Sequence, residues 1–195
     1  MKTVVCFISR AHGFSILDTL INSHNYKILK IFTHSLNPKS QDPLRSQRTD
    51  FQKFVKICHK NHIPLETIDE KNQQLSGIPE CDFIIEISWR YLINKKITKK
   101  AKIAAFGIHR GKLPEYAGAE PIKQALENDE KNIILSAHNL DSKIDQGRVI
   151  DTISHPVNYV GTDTFDTNVQ RLRDEITELF PKLMLKVFQI FNNNS

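Results

Sequence analysis

Short apolar runs alternate with amphipathic segments along most of the chain, and this alternation constrains the fold more than any other feature. Strands are predicted over residues 4–8, 26–33, 63–68, 82–88, 103–108, 133–140 and 148–155. Helices are predicted over residues 13–23, 49–61, 91–102 and 119–127, and from 162 to about 191 with a kink or break at Pro181. The order implies right-handed crossovers and a Rossmann-like α/β fold, a mainly parallel twisted sheet with helices on both faces.

The length and composition fit a globular protein of this class. At 195 residues the chain can bury a core without crosslinks, so we expect a single domain over residues 1–195. Hydrophobic residues make up 39% and charged residues 25%, as is ordinary for a globular protein. The net charge of +5 suits anionic small molecules or a mild nucleic-acid affinity. The charge is not in one block, however, and a lysine-rich solvated surface is the simpler interpretation.

The cysteines and the N-terminal segment indicate a cytoplasmic protein. Cys6, Cys58 and Cys81 are odd in number and widely spaced, so we expect buried, reduced thiols. The first eight residues are too short for a signal peptide, and no run approaches the length of a membrane span. Cys58 and His62 stand four residues apart on a predicted helix, but no second pair matches them, and we predict no metal site.

Two polar side chains stand in loops that are predicted to meet. His109 directly follows the fifth strand and precedes a loop containing Gly111, Pro114 and Gly118, and Asp145 follows the sixth strand. A histidine and a carboxylate brought together from two loops are a common arrangement for proton transfer. Two simpler interpretations stay open at this point. The histidine could merely bond to backbone, and the aspartate could cap its own turn.

Two other strand ends carry candidate binding groups, because ligands of such sheets lie at the carboxyl ends of the strands. The turn after the first strand suits an anion at a helix N-terminus, although an ordinary turn explains it as well. Aromatic rings beside a cation follow the fourth strand; they suit a planar cofactor or serve as core anchors. The residues in question are Ser9, Arg10, His12 and Gly13 in the first turn, and Trp89, Arg90 and Tyr91 in the second. The polar connection over residues 34–48 is long enough to be mobile or functional.

Taken together, these motifs resemble the formyltransferases that use 10-formyltetrahydrofolate. The family pattern runs Asn-x-His, then Leu-Pro-x-x-x-Gly, then a strand with a histidine, then Asp-x-Gly. Residues 88–92 resemble the folate-side segment of the family, and residues 169–181 resemble the closing helix of its glycinamide ribonucleotide enzymes. The resemblance covers residues 81–191 by motif and the first 80 by architecture alone. The pieces that carry it are Gly107-Ile-His109, Leu113-Pro114, Gly118 and Ile144-Asp145-Gln-Gly147.

The resemblance implies the formyltransferase fold, 10-formyltetrahydrofolate as co-substrate and a role for each motif. It implies that His109 stabilises the oxyanion of the formyl group, that Asp145 keeps His109 cationic and accepts a proton from the amine, and that His138 positions the Asp145 loop. Residues implied to bind the cofactor are Trp89, Arg90, Tyr91, Leu92, Asn139, Leu140, Asp141 and Ile144. Residues implied to bind the acceptor are Ser9, Arg10, His12, Gly13, Arg110, Gly111, Lys112 and Tyr116.

Two departures from the family pattern bear on activity and acceptor. The catalytic Asn of the family falls on Gly107, and the glycine-rich phosphate loop after the first strand is replaced by Arg10 and His12. Loss of one oxyanion donor typically lowers the rate by ~10²–10³. The alternative hypothesis is therefore a catalytically impaired protein of this fold that binds folate or an amine ligand.

We expect a small, anionic amine as the acceptor, either a nucleotide-linked amino sugar or glycinamide ribonucleotide. The methionyl-tRNA enzymes of the family carry an additional C-terminal domain, for which 195 residues leave no room. Nucleic-acid binding is the least favoured class and a membrane partner is not expected. A homo-oligomer stays open.

Overall fold

The computed structural model describes residues 1–193, which form a seven-stranded sheet with helices. The strand order is β3-β2-β1-β4-β5-β6-β7. The strands are β1 (Lys2–Ile8), β2 (Tyr26–Thr33), β3 (Leu65–Thr67), β4 (Cys81–Ile87), β5 (Ala101–His109), β6 (Asn132–Asn139) and β7 (Val149–Pro156). The helices are α1 (Arg10–Asn22), α2 (Phe51–Lys60), α3 (Lys95–Thr98), α4 (Pro121–Glu127), α5 (Phe165–Glu175) and α6 (Leu179–Asn193), with a 3-10 turn at Ile176–Glu178 between the last two. The predicted α/β class with a mainly parallel sheet is confirmed.

The chain divides into two compact units, Met1–Ala105 and Phe106–Ser195. In the first unit, β1 pairs in parallel with β2 and β4, and β2 pairs in parallel with β3. The central strand β1 is apolar from Val4 to Ile8 and buries each of these residues completely. A continuous apolar run is what a strand covered on both faces requires. The three cysteines lie in this unit as buried free thiols, as predicted.

In the second unit, β5, β6 and β7 pair in antiparallel fashion. The register places His109 opposite Ser136 and Gly107 opposite His138. Because side chains alternate along a strand, His109 and His138 project from the same face of the sheet. Helix α6 packs against β6 and β7. The single-domain organisation stays a prediction.

Several element boundaries differ from the predicted ones. Helix α1 begins at Arg10 rather than at residue 13, and the helix expected over residues 91–102 shrinks to α3 because Ala101 already belongs to β5. The C-terminal helix breaks at Ile176–Glu178, and Pro181 stands in the first turn of α6, where its missing N–H leaves no helical bond unmade.

The connection over residues 34–48 is ordered by its own backbone hydrogen bonds. The amide of Asn37 donates to the carbonyl of Ser46 at 2.9 Å, and the amide of Arg48 donates to the carbonyl of Ser35 at 2.8 Å. Within residues 1–193, no helix combines the length and the apolar character needed to cross a membrane. No group of three or more His, Cys, Asp or Glu in the same part of the chain is placed to hold a metal ion.

Candidate active site

His109 is held at the end of β5 between two oxygen atoms. Its Nε2 lies 2.7 Å from the carbonyl oxygen of Tyr116, and its Nδ1 lies 3.4 Å from Oδ2 of Asp145. A carbonyl can only accept, so Nε2 carries a hydrogen. With a carboxylate facing the other nitrogen, only the doubly protonated ring donates on both sides. Its side chain is 10% exposed, which leaves a small edge open to solvent.

Asp145 reaches the histidines from a loop with unusual backbone geometry. Its φ is 55°, in the left-handed region that non-glycine residues seldom adopt. One carboxylate oxygen, Oδ2, accepts a hydrogen bond from the amide of Gly118 at 3.2 Å and faces His109. The other, Oδ1, lies 3.6 Å from Nε2 of His138. Strained backbone of this kind persists where the surroundings hold it and is frequent at functional sites.

His138 is buried in β6 and presents an unpaired nitrogen to the carboxylate. Its Nδ1 donates to the carbonyl of Asn139 at 3.1 Å. Its Nε2 makes no hydrogen bond within residues 1–193, because 3.6 Å to Asp145 is too long for one. Burial lowers the pKa of His138, as does the nearby His109, against the opposing effects of Asp145 and of the Asn139 carbonyl. The ring is therefore neutral at pH 7, with a lone pair on Nε2.

Two buried features fix the loop that follows His109 and the loop that contains Asp145. The hydroxyl of Ser136 in β6 donates to the carbonyl of Gly111 at 2.8 Å and accepts from the amide of Leu113 at 3.2 Å. Gly147 stands where a Cβ atom would lie 1.7 Å from the carbonyl oxygen of Asn139. Only glycine lets the end of the Asp145 loop approach β6 so closely.

The other predicted acceptor residues of the second unit lie around a shallow pocket. It is lined by Arg110, Gly111, Lys112 and Tyr116 together with residues of α4 and β6. Lys112 is exposed and pairs with Glu115 at 3.0 Å. The hydroxyl of Tyr116 donates to Glu130 at 2.8 Å, which anchors the residue whose carbonyl orients His109.

The predicted cofactor residues of the second unit lie in the Asp145 loop and at the end of β6. The backbone amide of Asn139 donates to the carbonyl of Arg148 at 3.0 Å. Asp141 is exposed, and its carboxylate accepts from the amide of Ser142 at 2.6 Å. Ile144 is also exposed, at 57%, and Leu140 is half-buried. The loop thus presents both polar and apolar groups next to the carboxylate.

In the first unit, the turn after β1 is tied to the end of β4. The hydroxyl of Ser9 donates to the carbonyl of Ser88 at 2.7 Å, and His12 is hydrogen-bonded to the Ser88 hydroxyl. Both Ser9 and His12 are buried, so they shape the turn. Gly13 packs against Ile8, whose Cβ would lie 3.1 Å from an added Cβ atom.

Arg10 takes a left-handed φ of 66° and is partly exposed. Its Nη2 donates to the side-chain oxygen of Gln41 at 2.6 Å. The amide groups of a helix N-terminus favour negative charge, and the anion site predicted for this turn stays a prediction.

The segment after β4 is built from stacked rings. Trp89 stacks on the imidazole of His34 with centroids 4.2 Å apart, and its ring meets Phe7 edge-on at 5.2 Å. The hydroxyl of Tyr91 donates to the carbonyl of Asp69 at 2.7 Å. Leu92 is 48% exposed. Trp89 thus packs on two buried rings while it stays partly exposed, and its predicted role in cofactor binding stays a prediction.

Sequence reasoning missed the groups that orient the predicted residues. The carbonyl of Tyr116, the amide of Gly118 and the hydroxyl of Ser136 hold His109, Asp145 and the loop between them. Backbone groups have no signature in a sequence. Ser136 could have been found, because it lies two residues before His138 and thus on the same strand face.

Comparison with known proteins identifies the family of the chain. A family model described as formyl transferase matches residues 1–184. The chain belongs to this family. It is 27% identical over 198 residues to a methionyl-tRNA formyltransferase of Buchnera aphidicola, a match that covers 99% of this chain. The chain spans 60% of the length of that relative.

The fold of the chain is similar to those of many solved structures, including the following two. One is a phosphoribosylglycinamide formyltransferase from Streptococcus pneumoniae, with a TM-score of 0.65, 17% identity and coverage of 96% of this chain and 99% of that one. The other is a sugar 3N-formyl transferase in the presence of dTDP and 5-N-formyl-THF, with a TM-score of 0.60, 20% identity and coverage of 99% and 64%. At these identities the likeness shows the fold.

Proposed function

We propose that the protein transfers a formyl group from 10-formyltetrahydrofolate to a primary amine of a small, anionic molecule. The observation that carries this proposal is the carboxylate of Asp145 placed between two imidazoles, 3.4 Å from His109 and 3.6 Å from His138. Membership of the formyl transferase family supports the reaction class. The comparisons give no support to the alternative of a catalytically impaired protein.

Asp145 and His138 form a pair of proton acceptors. Burial keeps His138 neutral, and its Nδ1 is occupied by the Asn139 carbonyl, so Nε2 offers a lone pair. Oδ1 of Asp145 offers another, 3.6 Å away. An attacking amine must lose a proton when it forms a bond to carbon. An N–H placed against these two atoms can bond to either, and the carboxylate takes the proton as general base. The bond from the formyl carbon to the folate nitrogen then breaks, that nitrogen takes up a proton, and tetrahydrofolate leaves.

His109 lies next to the carboxylate with its ring held on both sides. The co-substrate contributes the formyl group, whose carbonyl oxygen gains negative charge as the amine attacks. Charge that is already oriented before the reaction is the most effective way to stabilise such an oxygen. With Nε2 donating to Tyr116 and Nδ1 facing Asp145, His109 is the oriented group that we propose to stabilise this oxygen. Catalytic hydrogen bonds in ligand-free proteins often tighten only when substrate binds.

The donor and acceptor assignments rest on separate features. The segment Trp89–Leu92 offers the donor a buried guanidinium atom, Nη1 of Arg90, which has no hydrogen-bond partner within residues 1–193. In the second unit, Arg110 and Lys112 offer positive charge to an anionic acceptor. A nucleotide-linked amino sugar and glycinamide ribonucleotide both carry phosphate and a primary amine, and they are the acceptors that we propose.

The test is a panel of amines with matched variants. The protein is incubated with 10-formyltetrahydrofolate and a nucleotide-linked amino sugar, glycinamide ribonucleotide or methionyl-tRNA, and the formylated product is measured by mass spectrometry. We expect Asp145→Asn and His109→Ala to lower the rate by about 10²–10⁴-fold. Asp166→Asn, at an exposed carboxylate of the second unit that lies outside the predicted site, is the control and keeps the wild-type rate. Wild-type rates in both site variants, or formylation of methionyl-tRNA alone, contradict the proposal.

A further inference from the structure

His34 is a buried histidine that the proposed chemistry does not use. It directly follows β2 and is fully buried. Its Nδ1 lies 2.5 Å from the carbonyl oxygen of Ile68, and its Nε2 lies 3.2 Å from the amide nitrogen of Arg90. A carbonyl accepts and an amide donates, so Nδ1 carries the hydrogen and Nε2 the lone pair. The two contacts specify one neutral tautomer.

The ring touches three consecutive residues of the segment after β4. It stacks on Trp89 with an interplanar angle of 21°, accepts from the amide of Arg90, and meets the ring of Tyr91 edge-on at 5.4 Å. Two further bonds tie the same segment to its surroundings. Nη2 of Arg90 donates to the carbonyl of Leu36 at 2.5 Å, and Tyr91 donates to a carbonyl beyond β3. The imidazole is thus the central contact of residues 89–91.

The charges that surround the ring also favour its neutral form. Burial lowers the pKa of His34 to about 3, and the guanidinium groups of Arg90 and Arg48 add to that shift. The Ile68 carbonyl and the carboxylate of Asp69 act in the opposite direction and do not overcome it. A protonated ring would lose its lone pair on Nε2 and would leave the Arg90 amide unpaired. Neutral His34 and the observed position of Arg90 therefore occur together.

We propose that His34 is a positioning residue that fixes the backbone of Arg90 and the ring of Trp89 in the conformation that binds the formyl donor. This inference rests on the proposed function, because that function assigns the donor to residues 89–92. His34 touches neither the acceptor nor the reacting atoms in this scheme. It acts through the shape of the segment, so its removal should weaken donor binding more than it slows the chemical step.

The decisive variants separate hydrogen bonding from volume. His34→Leu keeps a similar volume but removes both the donor to Ile68 and the acceptor for Arg90. His34→Gln restores one donor and one acceptor on a single amide that does not titrate. His24→Leu, at an exposed histidine of the same unit, is the matched control. Trp89 is the only tryptophan of the chain, so its emission reports on this segment alone.

We expect His34→Leu to raise KM for 10-formyltetrahydrofolate roughly five- to tenfold, the effect of one lost hydrogen bond, with kcat changed less than KM. The amide of Arg90 should exchange with deuterium faster, and the emission of Trp89 should shift. His34→Gln should return all three readouts toward wild type, and His24→Leu should leave them unchanged. If His34→Leu does not fold, His34→Asn, which keeps a donor for Ile68 but does not reach Arg90, is expected to give the same changes.

The structural readouts keep this inference distinct from the proposed function. If the wild-type protein formylates no amine, the proposed function is wrong. Deuterium exchange at the amide of Arg90 and the emission of Trp89 still decide whether His34 holds residues 89–91 in place. A folded His34→Leu protein with wild-type KM, Arg90 exchange and Trp89 emission overturns the inference. A kcat loss that His34→Gln does not restore, with Arg90 exchange unchanged, overturns it as well.

Discussion

Replacement of Gly147 by alanine tests how the Asp145 loop is held. A Cβ atom on Gly147 would lie 1.7 Å from the carbonyl oxygen of Asn139, and real contacts of this kind essentially never fall below 3.0 Å. Reaching 3.0 Å from 1.7 Å separates the two backbones by about 1.3 Å. Both partners are backbone, so no flexible side chain can move aside. Overpacking costs about 1–3 kcal/mol, and at ~2–4 °C per kcal/mol the Tm falls by several degrees.

The same displacement should slow catalysis, because Asp145 stands two residues before Gly147. Misplacement of a reacting group by ~1 Å lowers a rate by about 10²-fold. We therefore expect Gly147→Ala to reduce kcat/KM for formyl transfer by about 100-fold. The assay follows release of tetrahydrofolate with the amine that the wild-type protein accepts, and thermal unfolding is recorded on the same samples.

Gly161→Ala is the matched control for this substitution. A Cβ atom there meets nothing within 4 Å, so the control should keep both the rate and the Tm of the wild-type protein. A Gly147→Ala protein with wild-type Tm and wild-type kcat/KM would show that the loop tolerates the displacement. The assignment of Asp145 as a held group would then be wrong.

Two further predictions concern stability. Ser136→Ala leaves the carbonyl of Gly111 and the amide of Leu113 unpaired, which should lower the free energy of unfolding in urea by about 1–3 kcal/mol. The exposed control Ser154→Ala should change that free energy by less than ~0.5 kcal/mol. Equal losses in the two variants contradict the role of Ser136 in holding the loop. The folded-state pKa of His34, lowered from 6.5 to about 3, means that the unfolded chain binds more protons between these values. The contribution of His34 is thus complete above pH 6.5 and is lost as the pH falls toward 3. His34→Gln should flatten the dependence of Tm on pH in this range, and parallel curves for the two proteins refute the prediction.

The parallel half of the sheet could be predicted because burial on both faces leaves a continuous apolar signal. Val4 to Ile8 is such a run, and the predicted limits of β2 coincide with the observed ones. The antiparallel β6 and β7 could not be predicted in the same way. A helix lies between β5 and β6, and the usual inference from a helix between two strands is a parallel crossover. Helix α4 is only seven residues long and connects antiparallel strands instead.

The helix predicted over residues 91–102 is shorter in the structure, because a helix cap sets its start more strongly than the spacing of apolar residues does. The side chain of Asn94 accepts from the amide of Ile97 at 3.2 Å, so the helix begins there. Before it, residues 91–94 are not helical, and the hydroxyl of Tyr91 donates to the carbonyl of Asp69 beyond β3. Helix caps of this kind are visible in a sequence, whereas the partner of Tyr91 is set by tertiary contacts.

The candidate site was predictable only where side chains, rather than backbone groups, carry its chemistry. His109 and Asp145 carry side-chain chemistry at strand ends, and the structure brings their atoms to 3.4 Å. His34 also stands at the carboxyl end of a strand, yet its partners are the carbonyl of Ile68 and the amide of Arg90. Any residue supplies such groups, so a sequence cannot single them out.

The two halves of the proposed catalytic group are held in different ways, and this difference separates stability from activity. His109 and His138 are fixed by the register of β5 and β6, the same pairing that builds the second unit. Asp145 depends on a loop with left-handed φ and on the close approach that Gly147 permits. Substitutions in the paired strands should therefore lower stability and rate together. Substitutions in the loop that add no steric clash, unlike Gly147→Ala, move the carboxylate while the strands remain paired. They should therefore raise the activation free energy of the reaction more than they lower the free energy of unfolding.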